Sequence, residues 1–310
     1  SNKVLAQSYC YEVETIGECS SWVKTIYPQY VYANFAEQHI RFWNWIEAIQ
    51  PEKYSRPYVA IWARGGAKSS SAELAVVRLA AKRAVDYVWY ASDIQEQADK
   101  HVETIASLLE SPTLAQYHPA LSRRAIGKYG SSKGWRRNRL RTISGLTVDA
   151  IGLDTAVRGA KIEQNRPDFI ILDDLDNKSD TRMQVRKKID ILTTNILPAG
   201  ASNARILFIQ NLIHSNSIAS QLVGDQAEFL HDRIVDGPHP AIRDLKYELK
   251  GGRHVITGGK ATWDGQNLQI CEQQINTWGI TAFLKEAQHE VDEQPGGIWN
   301  HVLFQNCRKL

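Results

Sequence analysis

A short segment near residue 65 combines an apolar run, two glycines, a lysine and several serines in an order that could bind phosphate. Residues 58–62 are apolar and predict a buried strand, and a helical pattern follows the glycine turn. The backbone N–H groups of such a turn, the positive end of the helix and a lysine ammonium all attract phosphate oxygens. The segment therefore predicts a nucleotide site made by Arg64, Gly65, Gly66, Ala67, Lys68, Ser69 and Ser70.

This turn differs from the usual phosphate-binding loop at two positions. The usual loop has glycine six residues before the lysine and again directly before it, where this chain has Trp62 and Ala67. A positive φ at Ala67 would cost about 1–2 kcal/mol. If the site is functional, Lys68 neutralises the outer phosphates and Ser69 ligates Mg²⁺ through its hydroxyl. An ordinary Gly-Gly turn remains the alternative.

Adjacent acids follow a second apolar run. Residues 169–172 predict a strand buried on both faces, and Asp173 and Asp174 come directly after it. Ligands bind at this edge of open α/β sheets, so we expect the acids beside the phosphate-binding turn, on a neighbouring strand. Asp173 would hold Mg²⁺, and Asp174 would orient or deprotonate the attacking water, with Asp176 as the alternative acid. Solvent-exposed acids that cap a turn are the competing interpretation.

The rest of the chain alternates strand and helix patterns. Strands are predicted over 58–62, 86–90, 168–173 and 205–210, and helices over 33–49, 71–84, 92–109, 183–195 and 280–290. This order predicts an α/β fold with a mainly parallel sheet and helices on both faces. We divide the chain into an N-terminal helical segment (1–50), a core (51–237) and a small C-terminal lid region (238–310).

Composition excludes several classes of protein. The chain has 310 residues, of which 43% are hydrophobic and 23% charged, as expected of a soluble globular protein. No apolar run is long enough to span a membrane, so no membrane partner is expected. Four cysteines lie far apart without metal-ligand spacing and predict reduced thiols in the cytoplasm. A net charge of +3 does not by itself indicate nucleic acid.

Four blocks of the chain share their residues with one family. They are the loop at 64–70 with its early arginine, the block from Ala150 through Arg158-Gly159 to the acids, Gln210-Asn-Leu-Ile-His214 after a strand, and the segments at 283–286 and 295–299. Together they resemble the ATPase domain of phage terminase large subunits, which pump DNA into capsids. The likeness covers roughly residues 30–300 and is most specific between Arg158 and the acids.

The resemblance implies a P-loop NTPase of the RecA/ASCE type that couples Mg²⁺-dependent ATP hydrolysis to translocation of double-stranded DNA. It also implies a homo-oligomeric ring on a capsid portal, a small terminase subunit as partner and the host cytoplasm as location. By the same resemblance, Arg158 is supplied to a neighbouring subunit's catalytic site, with a structural ion pair as the alternative. Gln210 and Asn211 would sense the γ-phosphate from the adjacent strand and pass its loss to the DNA-gripping surface, with ordinary turn chemistry as the alternative.

The chain also departs from this family. The acid after the metal-binding aspartate is usually glutamate, and Asp174 is one methylene shorter. Asn211 stands where the coupling motif usually has threonine. The family continues into a nuclease domain, for which this chain provides no residues, so we expect a motor domain alone. Another RecA-like DNA-dependent ATPase, such as a helicase, and a nucleotide-binding assembly module without turnover remain the alternative functions.

A basic segment (residues 122–141) contains eight lysines and arginines and no acid. Its glycines and aromatic residues predict a mobile loop, which could follow a phosphate backbone without reading sequence. Arg136, Arg137 and Arg139 are the candidate DNA-binding residues. A solvated loop or a subunit interface is equally consistent with the pattern.

Overall fold

The computed structural model of the protein describes residues 19–128, 130–156 and 165–291. Its strands are β1 (Tyr58–Trp62), β2 (Tyr87–Ser92), β3 (Arg139–Arg141), β4 (Thr147–Gly152), β5 (Phe169–Asp173), β6 (Arg205–Gln210), β7 (Ile234–His239), β8 (Ile242–Lys250) and β9 (Arg253–Ala261). Its helices are α1 (Cys19–Ile26), α2 (Glu37–Ala48), α3 (Lys68–Ala81), α4 (Gln95–Leu109), α5 (Pro112–Tyr117), α6 (Leu153–Ala156), α7 (Arg182–Ile191), α8 (Ile218–Val223), α9 (Leu268–Trp278) and α10 (Ile280–Gln288).

Seven strands form one sheet in the order β3-β4-β2-β5-β6-β1-β7. All neighbours in it run parallel except the β3–β4 pair. Strand β6 lies between β1 and β5, so the expectation that the acids follow a strand directly beside the phosphate-binding strand is wrong by one position. The predicted α/β class, a mainly parallel sheet with helices on both faces, is confirmed.

Both faces of the sheet are buried because alternate residues of each strand join different cores. In β1, Ala60 and Trp62 belong to a cluster with α2, α3 and α4. Val59 and Ile61 belong to a second cluster with α7 and α8 on the opposite face. A parallel sheet covered on both faces needs continuous apolar strands, which explains the apolar runs of the sequence.

The N-terminal helices share the first of these cores. Trp22 of α1 and Phe42 and Ile46 of α2 are buried in the same cluster as Tyr58 of β1. The rings of Phe42 and Tyr58 meet edge to face with centroids 6.0 Å apart. The residues from 19 to 50 therefore pack directly on the sheet.

Strands β7 and β8, which the sequence patterns did not predict, have weak patterns. Strand β7 is an edge strand that pairs with β1 only, and of its six residues Asp236 alone is buried. Strands β8 and β9 form an antiparallel ribbon whose β8 side is mostly exposed. Exposed strands need no apolar run, and so the hydrophobic pattern that marks β1, β5 and β6 is absent from them.

The C-terminal elements pack beneath the phosphate-binding turn. Ile242, Ile275 and Phe283 form a third buried cluster together with Ala63, which directly follows β1 in the chain. None of the helices in the described ranges is long and apolar enough to cross a membrane. The division into a core and a lid region at residue 237 stays a prediction.

Two isoleucines of α2 test whether this helix belongs to the core. Ile46 is 0% exposed, whereas Ile40 is 49% exposed on the same helix. Ile46→Ala should lower the free energy of unfolding by about 2–5 kcal/mol because it leaves a cavity. Ile40→Ala, the matched control, should change it by less than about 0.5 kcal/mol. Denaturant unfolding measures both, and equal effects would contradict the packing described.

Candidate functional site

The predicted phosphate-binding turn lies between β1 and α3. Ala67 has φ 60° and ψ 24° and precedes the first helical residue, Lys68. This positive φ at a non-glycine residue costs about 1–2 kcal/mol. Such strain persists only where the surroundings over-determine it, and it concentrates at functional sites.

The two glycines of the turn lie close to neighbouring atoms of the protein. Gly65 has φ +88°, and a Cβ there would lie 2.9 Å from Nε2 of Gln266. A Cβ on Gly66 would lie 3.0 Å from the carbonyl oxygen of Ala63. At Gly65 the positive φ disfavours any side chain, and at Gly66 the carbonyl of Ala63 would have to shift by a few tenths of an ångström.

Lys68 is the most informative residue of the turn. Its side chain is buried, with 9% exposure, at the N-terminus of α3. Within the described part of the chain it makes no hydrogen bond and no ion pair, although Asp173 and His289 interact with it electrostatically. The dipole of α3 favours an anion at this end of the helix, beside the ammonium of Lys68. Ser69, the next residue, is half-buried.

Asp173 ends strand β5 at the same edge of the sheet and is fully buried. The hydroxyl of Tyr90 donates a hydrogen bond of 2.7 Å to its Oδ2, and Nε2 of His101 lies 3.5 Å from the same oxygen. Its Oδ1 is buried without a hydrogen-bond partner among the described residues. Burial and the neighbouring Asp174 raise the pKa of Asp173 to about 6, against the lowering effect of His101, Tyr90 and Lys68.

Asp174 and Asp176 differ in what surrounds them. Asp174 has φ 49° and a half-buried side chain beyond the strand end. The carboxylate of Asp176 accepts hydrogen bonds of 2.8 and 2.9 Å from the backbone N–H groups of Ile218 and Ala219. Burial raises the pKa of Asp176 to about 6 in spite of these two bonds. The structure thus places Asp176 at the start of α8, where both its oxygens are engaged.

Gln210 ends β6, the strand between the turn and the acids. It lies opposite Ile61 of β1, while Asp173 lies opposite Ile209. With strands about 4.8 Å apart, Gln210 separates the turn from the acids by roughly one strand spacing on each side. It is fully buried, and neither atom of its amide has a hydrogen-bond partner in the described ranges.

Glu286 of α10 connects the loops that surround the site. Its carbonyl oxygen accepts from the Arg64 N–H at 3.0 Å, and its Oε2 lies 3.4 Å from Nη1 of Arg64. The same Oε2 accepts from Nδ2 of Asn211 at 3.2 Å. Lys178, from the loop after β5, also pairs with Glu286. Arg64, 65% exposed, is thus held against the C-terminal helix in this structure.

His289, at the end of α10, forms a hydrogen bond with the loop after β6. Its Nδ1 accepts a hydrogen bond of 3.2 Å from the Leu212 N–H, and its Nε2 lies 3.0 Å from the His239 carbonyl oxygen. Only a neutral ring with the proton on Nε2 can make both contacts as hydrogen bonds. Burial lowers the pKa of His289 to about 4, which keeps the ring neutral.

The basic segment is folded over its described residues. The N–H of Ala125 donates to the Arg141 carbonyl at 2.8 Å, and the N–H of Lys133 donates to the Ala125 carbonyl at 2.7 Å. The Arg136 N–H donates to the Arg139 carbonyl at 2.7 Å. The expected mobile loop is replaced by an antiparallel arm that continues β3.

The three candidate DNA-binding arginines have different surroundings. Arg139 makes a two-pronged ion pair with Asp149 of β4, with Nη2 2.6 Å from Oδ2. Arg137 lies 3.0 Å from Glu103 of α4 and is 55% exposed. Arg136 is exposed. The acids that balance this segment therefore come from distant parts of the sequence, which its own composition could not show.

Some predicted residues lie outside the described residues. Arg158 falls in the undescribed range 157–164, and the segment at 295–299 follows the last described residue. Their roles stay predictions.

Sequence analysis missed four side chains of this site. Glu73, Tyr90 and His101 form the surroundings of Asp173, and Gln266 donates a hydrogen bond of 2.8 Å to the Arg64 carbonyl. Glu73 could have been found, because it follows Ser69 by four residues and so lies one helical turn below it on the same face. The others reach the site only through the tertiary fold.

The residues present fit a magnesium ion bound together with phosphates. No group of three or more His, Cys, Asp or Glu side chains within the described ranges could hold a metal alone. Mg²⁺ in nucleotide sites needs only one or two protein ligands, since phosphates and water supply the rest. The unpartnered Oδ1 of Asp173 and the hydroxyl of Ser69 suit that role.

Comparisons with known proteins found solved structures only. No family model and no curated protein matches the chain. The ATPase domain of the Thermus phage P74-26 large terminase is 18% identical, with a TM-score of 0.35 over 54% of this chain and 63% of that one. A mutant of the same domain is 15% identical, with a TM-score of 0.39 over 57% of this chain and 65% of that one. The chain thus spans slightly less than two thirds of these domains.

Two further structures are similar. The Phi-28 gp11 DNA packaging motor is 11% identical, with a TM-score of 0.46 over 80% of this chain and 69% of that one. The N-terminal domain of the DNA packaging ATPase from bacteriophage phi29 is 14% identical, with a TM-score of 0.36 over 59% and 90%. These four structures are terminase or DNA-packaging proteins, the class that the sequence motifs resemble. Because the TM-scores are below 0.5, the function proposed below rests on the site itself.

The pKa of His289 predicts a loss of stability in acid. In the unfolded chain the ring protonates near its ordinary pKa of 6.5, and in the folded protein only near 4. The unfolded state therefore binds more protons between these values, and stability falls as the pH drops below about 6.5. Between about pH 7 and about pH 5 this one group should remove about 2 kcal/mol.

A glutamine at this position supplies the control. His289→Gln can still accept and donate, but it does not titrate. Denaturant unfolding of wild type at the two pH values should show the extra acid-induced loss, and the variant should lack it. The same pH dependence in both proteins would contradict a neutral His289.

Proposed function

We propose that the chain is an ATPase motor domain that hydrolyses ATP with Mg²⁺ and couples this to movement along double-stranded DNA during viral genome packaging. The single observation that carries the nucleotide site is the largely buried side chain of Lys68, which has no ion-pair partner in the described part of the chain. It lies at a helix N-terminus behind a turn of closely packed glycines. A triphosphate is the counter-ion that such a site selects.

Each residue of the site has a role in this proposal. Arg64 and the N–H groups from Gly65 to Ser70 bind the phosphates, with Lys68 on the outer ones. Ser69 and Asp173 hold Mg²⁺, which when bound neutralises charge on the transferring phosphoryl group. Asp174 orients or deprotonates the attacking water. We assign this role to Asp174 over Asp176 because both oxygens of Asp176 accept backbone hydrogen bonds.

Coupling would use the strand between the two halves of the site. The unpartnered amide of Gln210 lies one strand from the turn and one strand from the acids. Loss of a phosphate there would change what this amide can bind, and Asn211 would pass the change to Glu286 and α10 through its hydrogen bond. Arg158 from a neighbouring subunit of a ring would complete each site. A capsid portal and a small terminase subunit are the partners proposed with it.

Phosphate release tests the catalytic assignment. Lys68→Ala should lower kcat/KM by at least about 10²-fold because it removes the charge that holds the outer phosphates. Asp174→Asn should lower kcat by about 10²–10⁴-fold and leave ATP binding intact, as expected for loss of a base. Isothermal titration with ATP and a phosphate-release assay separate the two effects.

Asp176→Asn is the matched control, since it changes a carboxylate of the same loop. It should lower the thermal midpoint by weakening the α8 cap and leave kcat unchanged. A loss of kcat in this variant, with Asp174→Asn active, would reverse the assignment. ATP binding without turnover in wild type, also in the presence of DNA, would favour an assembly module. Strand separation would favour a helicase.

DNA binding should depend on Arg136 more than on its neighbours. It is exposed, while Arg137 and Arg139 have acidic partners. Arg136→Ala should weaken binding to duplexes of any sequence and reduce the slope of log K against log salt by about 1. Arg139→Gln should instead lower stability, because it leaves the buried Asp149 without its ion pair.

Lys53→Ala is the control for this measurement. Lys53 is also exposed, but it precedes β1 and so lies at the opposite edge of the sheet. Fluorescence anisotropy over a salt series compares the variants. Equal slopes for Arg136→Ala and Lys53→Ala would show that the basic segment does not contact DNA.

A further inference from the structure

We propose that Tyr90, His101 and Glu73 form a buried positioning network that selects which oxygen of Asp173 faces the metal. The network would thereby set how tightly the nucleotide site holds a divalent cation. This inference rests on the proposed function, because it assigns a task to side chains that the phosphate-binding turn and the acids do not explain. All three residues lie on elements that pack against the site: β2, α4 and α3.

The two oxygens of Asp173 have different surroundings. Oδ2 accepts the 2.7 Å hydrogen bond from Tyr90 and lies 3.5 Å from Nε2 of His101. Oδ1 is equally buried and has no hydrogen-bond partner in the described ranges. The χ2 torsion of an aspartate has a broad, roughly two-fold distribution of angles. Without such contacts, the two oxygens of the carboxylate would exchange positions freely. The contacts at Oδ2 fix the torsion and leave Oδ1 for the metal or its water.

Further contacts hold His101 and Tyr90 in place beside Asp173. Nδ1 of His101 lies 2.7 Å from Oε1 of Glu73, and the ring of His101 stacks on Tyr90 with centroids 4.5 Å apart and planes at 20°. Tyr90 is fully buried, Glu73 is 6% exposed, and the side chain of His101 is 16% exposed. A polar network buried to this extent has little freedom to rearrange.

Glu73 links the network to the helix that carries the other proposed metal ligand. Glu73 follows Ser69 by four residues on α3, so the two side chains lie one turn apart on the same side of the helix. Ser69 and Asp173 are the proposed metal ligands, and they come from different elements. The chain Glu73–His101–Asp173 joins the same two elements one turn below the metal and so fixes their separation. Partners of this kind are typically worth 10- to 100-fold in metal affinity.

The competing explanation is a polar network that only stabilises the core. Strand β2 offers a matched control for it. Tyr87 on the same strand is also buried, and its hydroxyl donates a 2.6 Å hydrogen bond to the carboxylate of Asp149. Tyr90→Phe and Tyr87→Phe therefore remove the same group and the same kind of bond, one beside the metal site and one remote from it.

Manganese binding is the readout. Electron paramagnetic resonance measures the affinity of the whole chain for Mn²⁺ in the presence of a non-hydrolysable ATP analogue. Tyr90→Phe should bind Mn²⁺ about 10- to 100-fold more weakly than wild type, and Tyr87→Phe should match wild type. Binding of the analogue in EDTA should be the same in all three proteins, since the network does not contact phosphate.

Glu73→Gln is the second variant, used with thermal melting to exclude unfolding. It keeps the size of the side chain and should shift Mn²⁺ affinity in the same direction by a smaller factor. Unchanged Mn²⁺ affinity in both Tyr90→Phe and Glu73→Gln, with analogue binding intact, would overturn the network but leave the proposed function standing. If wild type binds neither the analogue nor Mn²⁺, the proposed function itself fails.

Discussion

The position of the Lys68 side chain at the start of α3 is the constraint on which the site depends. Lys68 is 9% exposed and has no ion-pair partner within the described part of the chain, so its charge at this helix N-terminus is available to an anion. Around it lie a strained Ala67, two glycines in close contact with their neighbours, and Asp173 at the same edge of the sheet. These features are explained if the site binds an anion and a cation together. A triphosphate with Mg²⁺ supplies both charges and satisfies Lys68 and Asp173 at once.

The fold brings these groups together by topology. Parallel strands β1, β6 and β5 all end at one edge, so the turn, Gln210 and the acids converge although they are far apart in sequence. The last described helix, α10, packs against that edge. Glu286 and His289 contact the loops that follow β1, β5 and β6. A displacement of any of these loops would therefore reach α10, as the proposed coupling of hydrolysis to movement requires.

Sequence patterns predicted the central part of this structure because fully buried strands must be apolar. β1, β5 and β6 were identified from that property. The insertion of β6 between β1 and β5 was not predicted, since strand order is set by long-range pairing. β7 and β8 were missed because exposed strands carry no apolar run. The ion pairs of the basic segment were missed for a related reason: its acidic partners Glu103 and Asp149 lie outside it.

In the proposed site, Lys68 and Asp173 bind a triphosphate and its metal between them. The decisive experiment is a crystal structure of the protein with Mg²⁺ and a non-hydrolysable ATP analogue. We expect Nζ of Lys68 within about 3 Å of an outer phosphate oxygen, and Oδ1 rather than Oδ2 of Asp173 facing the metal. A nucleotide bound elsewhere, or Lys68 paired with a protein carboxylate while the nucleotide is present, would contradict it.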